Sequence, residues 1–336
     1  MKKLFIQIVS FLGLLPLLFL SPTLTFASPR LTDLGTYNGR SIRVNSSNIN
    51  NHVVGSCIVD AIGDSHACFY NGTTWQDLGN FAKDFSSALS INDFDQIVGY
   101  GLDTTNTPRA FLWDKGVVKD LGGLSTLGSI AVAINNKGQI VGYSSMPQNH
   151  NHATLWENGQ IKDLGTLPGG STSGASAIND QGDIVGTSDT TSFNQHMFSY
   201  RNNQMADLGT LKANTSPLAI NNQRQIVGFT TDSPGVDDSA FEYQNGSFVN
   251  LPWTSGNPSW ANDINNHGVA VGFGYTAPQG GPRHATLWMN NSVTDLGGLS
   301  TIHEGSVASS VNDNGVIAGQ SQDDSGIIHA VLWTQN

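Results

Sequence analysis

Three landmarks that recur in a fixed order, short apolar segments broken by tight polar turns, and a shortage of charge predict an all-β fold: a seven-bladed β-propeller of four-stranded antiparallel blades. The first landmark is Ile-Asn or Val-Asn, at Ile49-Asn50, Ile91-Asn92, Ile134-Asn135, Ile178-Asn179, Ile220-Asn221, Ile264-Asn265 and Val311-Asn312, spaced 42–47 residues apart. The second begins at His66, Arg109, His152, His196, Ser239, His284 and His329, and ends four residues later in Tyr or Trp. The third is Asp-Leu-Gly, starting at Asp33, Asp77, Asp120, Asp163, Asp207 and Asp295, with Asn250-Leu251-Pro252 standing in once. Self-similarity at a period of roughly 40–45 residues, with four strand-like segments per period, is the pattern of a propeller.

Within a unit the elements follow from composition. Ala131–Asn135 reads as the first strand, closed by a polar turn of the kind that joins antiparallel neighbours. Gln139–Tyr143 is the second strand; its adjacent Ile140 and Val141 put bulk on both faces, as a sheet sandwiched between others requires. A variable loop leads to the third strand, His152–Trp156, and Glu157-Asn-Gly159 turns the chain into the fourth, Gln160–Leu164. A Gly-, Ser- and Thr-rich crossover starts the next unit. The last unit stops at Trp333 plus three residues and lacks a fourth strand, whereas Ser28–Gly35 reads as a fourth strand without the three before it. The N-terminal strand is therefore expected to pair with the C-terminal blade and close the ring, removing the open sheet edges.

Composition narrows the function. Only 12% of the 336 residues are charged, against about 25% in ordinary soluble domains, which disfavours coiled coils, exposed bundles and disordered tails. A net charge of -11 without any basic run makes nucleic acid and anionic membrane surfaces poor partners. Lys2 and Lys3, an apolar stretch over 4–20 and the small residues up to Ala27 read as a signal peptide, 1–27, leaving 28–336 as the propeller. Gln7, Ser10 and Pro16 interrupt the apolar run and argue against an uncleaved anchor. The mature chain is expected in the periplasm or medium as a monomer, not inserted in a membrane. In that setting Cys57 and Cys68 read as one disulfide, stapling a hairpin if they fall on facing strands.

The landmarks resemble the HAF family of extracellular repeats, named for the His-Ala-Phe that opens the third strand. Here it stands as His152-Ala-Thr, His196-Met-Phe, His284-Ala-Thr and His329-Ala-Val, and as Arg109-Ala-Phe and Ser239-Ala-Phe. The resemblance covers essentially all of the mature chain and implies a bacterial, exported repeat propeller. It implies no established activity.

Residues that repeat are expected to serve structure. Histidines spread one per blade cannot converge on a metal, so the third-strand His is read as an inter-strand hydrogen bond. The strand-ending Trp and Tyr are read as blade-to-blade packing, and the Asp of Asp-Leu-Gly as a backbone cap. The loop aspartates match no calcium-loop spacing and are read as solvated; His52 and His267 are read as exposed turn residues.

Function is sought where the repeat departs from itself, above all in the sixth unit. Leu251-Pro-Trp253 stands there where other units read Leu-Gly, and Trp260, Asn262 and Asp263 precede Ile264 in the strand expected nearest the central channel. Two tryptophans beside carboxylate and amide groups suit stacking on a sugar ring. His303, Glu304 and His150 are further non-repeated candidates. Gly170–Gly174 looks like a nucleophile elbow but has Thr172 at its centre. No metal or cofactor site is recognised. The chain reads as a binding module for a glycan or protein on its variable loop face. The alternatives are a polysaccharide lyase or hydrolase using Asp263, His303 or Glu304, and a structural envelope protein.

Overall fold

A computed structural model of the chain describes residues 29–79, 83, 85–191, 195–232, 238–253, 258–277, 281–302 and 305–335. The expected signal peptide lies outside the described residues, as do His303 and Glu304. Among the described residues the only helix is a 3-10 turn at Pro147–Asn149; the rest is strand, turn and loop. No helix there is long and apolar enough to cross a membrane.

The third unit shows the plan. Ser129–Ile134, Ile140–Met146, His150–Glu157 and Gln160–Gly165 pair antiparallel in sequence order. The same four-stranded antiparallel sheet recurs along the chain, the fourth and fifth units being joined by one parallel pairing of Gln195 with Asn214. The N-terminal strand Arg30–Gly35 lies antiparallel to the C-terminal strand Ile328–Thr334, with Leu31 opposite Trp333. It supplies the fourth strand that the last unit lacks.

Every first strand carries a β-bulge, at Asn45, Leu89, Val132, Ser176, Leu218, Asn262 and Ser309. The bulge drives a carbonyl over the neighbouring second strand, which accounts for the invariant Gly after Ile-Val. A Cβ on Gly142 would collide with the main-chain oxygen of Ile130, and one on Gly228 with that of Ser216. Sheet faces meet through buried aliphatic and aromatic side chains. Trp288 is 2% exposed and Trp333 fully buried; truncating either would cost about 3–5 kcal/mol.

The two outer landmarks form one device. The third-strand His Nδ1 donates to the fourth-strand Asp at 2.6–3.0 Å in His66–Asp77, His152–Asp163, His196–Asp207, His284–Asp295 and His329–Asp33. Arg109 and Asp120 do the same at 3.3 Å. Each Asp also accepts the N–H of the Gly two residues on, as Asp163 does from Gly165 at 2.7 Å. The fifth unit, with Ser239 for His, also has Asn250 for Asp; both partners changed together. Two of the strand-ending tryptophans reach the preceding unit, Trp156 Nε1 donating to Gly122 O and Trp288 Nε1 to Pro252 O.

Cys57 and Cys68 are bonded, on the facing strands Val53–Ile58 and Ser65–Tyr70, with a Cα separation of 5.9 Å.

Candidate functional site

The first strands of the units line a common channel whose two ends differ. At one end each first strand runs into an asparagine that holds its own turn and its neighbour. Asn221 Oδ1 accepts the N–H of Gln223 and Gln225, while its Nδ2 donates to the carbonyl of Asn265 at 3.0 Å. The same inter-unit bond runs from Asn48 to Asn92, then Asn135, Asn179, Asn221, Asn265 and Asn312, whose Nδ2 returns to Asn48 O at 3.0 Å. In the first unit this residue is Asn48, not Asn50 as the Ile-Asn pattern suggested. Ser47 replaces the isoleucine, which shifts the apparent motif by two positions. A second row of contacts follows, Asn136 Nδ2 bonding to Asp93 and Asp180, and Asn266 Nδ2 to Asp313. These residues line a narrow space of about 190 Å³.

At the other end the channel widens to a cavity of about 580 Å³, within the usual size range of small-molecule sites. All seven bulged residues line it. Trp260 and Arg283 stand at the starts of a first and a third strand, where the crossovers and second-to-third loops meet. The wide cavity therefore opens on the variable face. Its walls are unequal. Leu89, Val132 and Leu218, with Ser176 between the last two, make one side mostly aliphatic, whereas Asn45, Asn262 and Ser309 make the other polar.

Of the sequence candidates, Trp260, Asn262 and Asp263 line this cavity together. Asn262 Nδ2 donates to Ala308 O at 2.8 Å, as Asn45 Nδ2 does to Ala88 O at 2.7 Å, so each amide ties two units together. Asp263 accepts the N–H of Ile264 at 2.8 Å and of Val311 at 2.9 Å. Desolvation pushes its carboxyl up to about 6 against the pull of those two N–H groups, and Asp313 adds to the rise. Trp260 presents little free ring face. It is stacked on Phe229 at 3.9 Å and packs at a tilt on Phe273, with Nε1 donating to Asp238 at 2.8 Å.

Trp253 lies over Gly274 and donates to Tyr275 O at 2.9 Å, outside the cavity lining. His150 sits opposite Met146 at a hairpin tip, also outside it. His303 and Glu304, in the crossover nearby, lie outside the described residues. His52 is more than an exposed turn residue, since Nδ1 bonds to Asp95 at 2.8 Å and its ring packs on Phe69.

The loop aspartates also have local work. The Thr105 hydroxyl and the N–H of Thr107 hold Asp103 below the usual carboxylate range, and the Ser325 hydroxyl does the same for Asp323.

Sequence reading overlooked Arg43, Arg283 and Gln320, which line the polar side, and the aliphatic trio opposite. A usable signal existed. Every bulged residue stands three before its unit's asparagine, but only with Asn48 as the anchor does the first unit align.

No protein-family model matches the chain, and no curated protein matches it in sequence. Solved structures do. The β-propeller domain of the Trilobed protease from Pyrococcus furiosus aligns with a TM-score of 0.59 at 8% identity, over 87% of this chain and 93% of that one. An acylaminoacyl peptidase from Pyrococcus horikoshii aligns at 0.58 with 11% identity, and a puromycin-hydrolyzing peptidase from Mycobacterium tuberculosis at 0.57 with 12%. Each covers 87% of this chain, which spans about half the length of those two peptidases. Identities this low speak for architecture alone: the fold is that of a β-propeller.

Proposed function

We propose that this chain is an exported, closed, seven-bladed propeller of the HAF-repeat type that binds a ligand in the wide end of its central cavity. Closure is supported by the pairing of Arg30–Gly35 with Ile328–Thr334 and by the asparagine bonds that return from Asn312 to Asn48. The Trilobed protease propeller, by contrast, has an open velcro topology. The Cys57–Cys68 disulfide suits an oxidising compartment.

One observation carries the binding reading. The bulged positions, which differ from unit to unit, all face a single cavity together with Trp260 and Asp263, while the repeated asparagines are spent on holding units together. A catalytic role for Asp263 has its raised pKa in its favour. Both carboxylate oxygens, however, are occupied by main-chain N–H groups.

A glycan array and a pull-down with the mature chain test the reading, each repeated with Leu218→Trp to fill the cavity. Binding that the filled cavity abolishes is the expected result. Absence of any ligand at high protein concentration, or binding indifferent to the substitution, refutes it.

A further inference from the structure

The polarity of the central cavity points to the chemistry of its ligand. Arg43 and Arg283 are the only cations among its described lining residues, in a protein of net charge -11. Neither makes an ion pair among the described residues, whereas Arg109, Lys212 and Arg224 elsewhere each have an aspartate. Asp263 is the only carboxylate among the described lining residues, and its two main-chain N–H bonds direct it away from that task. The Arg283 guanidinium lies over the Phe273 ring at 5.4 Å, which orients its plane and leaves its N–H edge for another partner.

Opposite this side, Leu89, Val132 and Leu218 are followed in their units by Ser90, Ala133 and Ala219, small side chains that leave a mostly aliphatic wall, broken by Ser176. A sugar ring would want a flat aromatic face, but one face of Trp260 is covered by Phe229 and its Nε1 by Asp238. Both arginines are exposed, so their guanidinium groups are open to a ligand from solvent; unpaired, they favour an anion, and their planar fork matches a carboxylate.

We propose that the cavity binds a small amphipathic carboxylate, its charged end at Arg43 and Arg283 and its apolar body against Leu89, Val132 and Leu218. The proposal rests on the reading of this cavity as the ligand site and names the ligand class. Asn45 and Asn262 contribute amide oxygens, which accept no hydrogen bond among the described residues and can receive a donor from the ligand.

Isothermal titration of the mature chain with N-acetyl-L-leucine and with uncharged N-acetyl-L-leucinamide tests it. The acid binds, and the amide binds about tenfold or more weakly. Arg43→Gln and Arg283→Gln each weaken the acid about tenfold and leave the amide unchanged, and Leu89→Asn weakens both. Thermal unfolding of each variant establishes that it is folded.

Equal affinity for acid and amide, or acid binding indifferent to both arginine substitutions, overturns the proposal. If neither probe binds while an array glycan binds and is lost in Leu218→Trp, the carboxylate assignment falls and the binding reading stands. If no ligand responds to Leu218→Trp, both fall.

Discussion

At the narrow end of the central channel all seven first strands finish the same way; at the wide end no three of them do. The asparagines must accept two main-chain N–H groups and donate to the next unit, and no other side chain offers that set of donors and acceptors at that length. Three residues earlier the bulge turns a side chain into open space, where Asn, Leu, Val and Ser all stand. The difference teaches where such a repeat can vary. Positions that satisfy buried backbone are held, and positions that face the cavity are free to acquire a ligand.

The largest expected effect lies at the held end. Asn221 is 3% exposed, and Asn221→Ala leaves buried N–H and C=O groups without partners. We expect a loss of about 3 kcal/mol by urea denaturation; a loss below about 1 kcal/mol would erase the contrast between the two ends.

Neither cysteine is among the residues lining the two ends, so the disulfide serves as a yardstick. Replacing Cys57 and Cys68 together with Ser should cost about 2–3 kcal/mol, given the short loop enclosed, and the same loss should follow reduction of the parent.

Asp263 sharpens the comparison, because it is a wide-end residue bonded as a narrow-end one would be. Its folded value of about 6 lies above the ordinary 3.8, so between those values the native state binds more protons than the unfolded one. Its effect on stability is therefore most favourable below the unfolded value and is lost as pH rises through about 6. Asp263→Asn removes this dependence. Relative to the parent, the variant should gain about 2 kcal/mol between pH 4 and pH 7, whatever its constant offset. A flat difference across that range would show that the carboxyl is not desolvated.

The smallest effect belongs to the outer His–Asp pairs, which lie partly in solvent. His196→Ala should cost about 0.5 kcal/mol. A loss as large as that of Asn221→Ala would move the weight of the fold from the channel to the rim.

Much of the fold was legible because repetition multiplies weak signals. One Ile-Asn or one His-Ala says little, but their recurrence located the strands, the turns and the pairing of Arg30–Gly35 with the last unit. The site was legible only in part. The sixth unit's oddity led to Trp260, Asn262 and Asp263, which do share the cavity. It also led to Trp253, which instead covers Gly274. Arg43 and Arg283 went unseen, since nothing in the text of a single unit distinguishes a cavity-facing arginine from a solvated one.

By itself the sequence determined the all-β class, the unit boundaries and the two cysteines able to bond, because local turn chemistry and apolar spacing act over a few residues. It did not determine that His and Asp landmarks are partners, which asparagine serves the first unit, or which side chains face one another across the channel. Those depend on a bulge that redirects one residue per strand and on the juxtaposition of strands more than 200 residues apart, such as those joined by Asn312 and Asn48. Only the packed sheets bring an aliphatic wall and two unpaired arginines to opposite sides of one space.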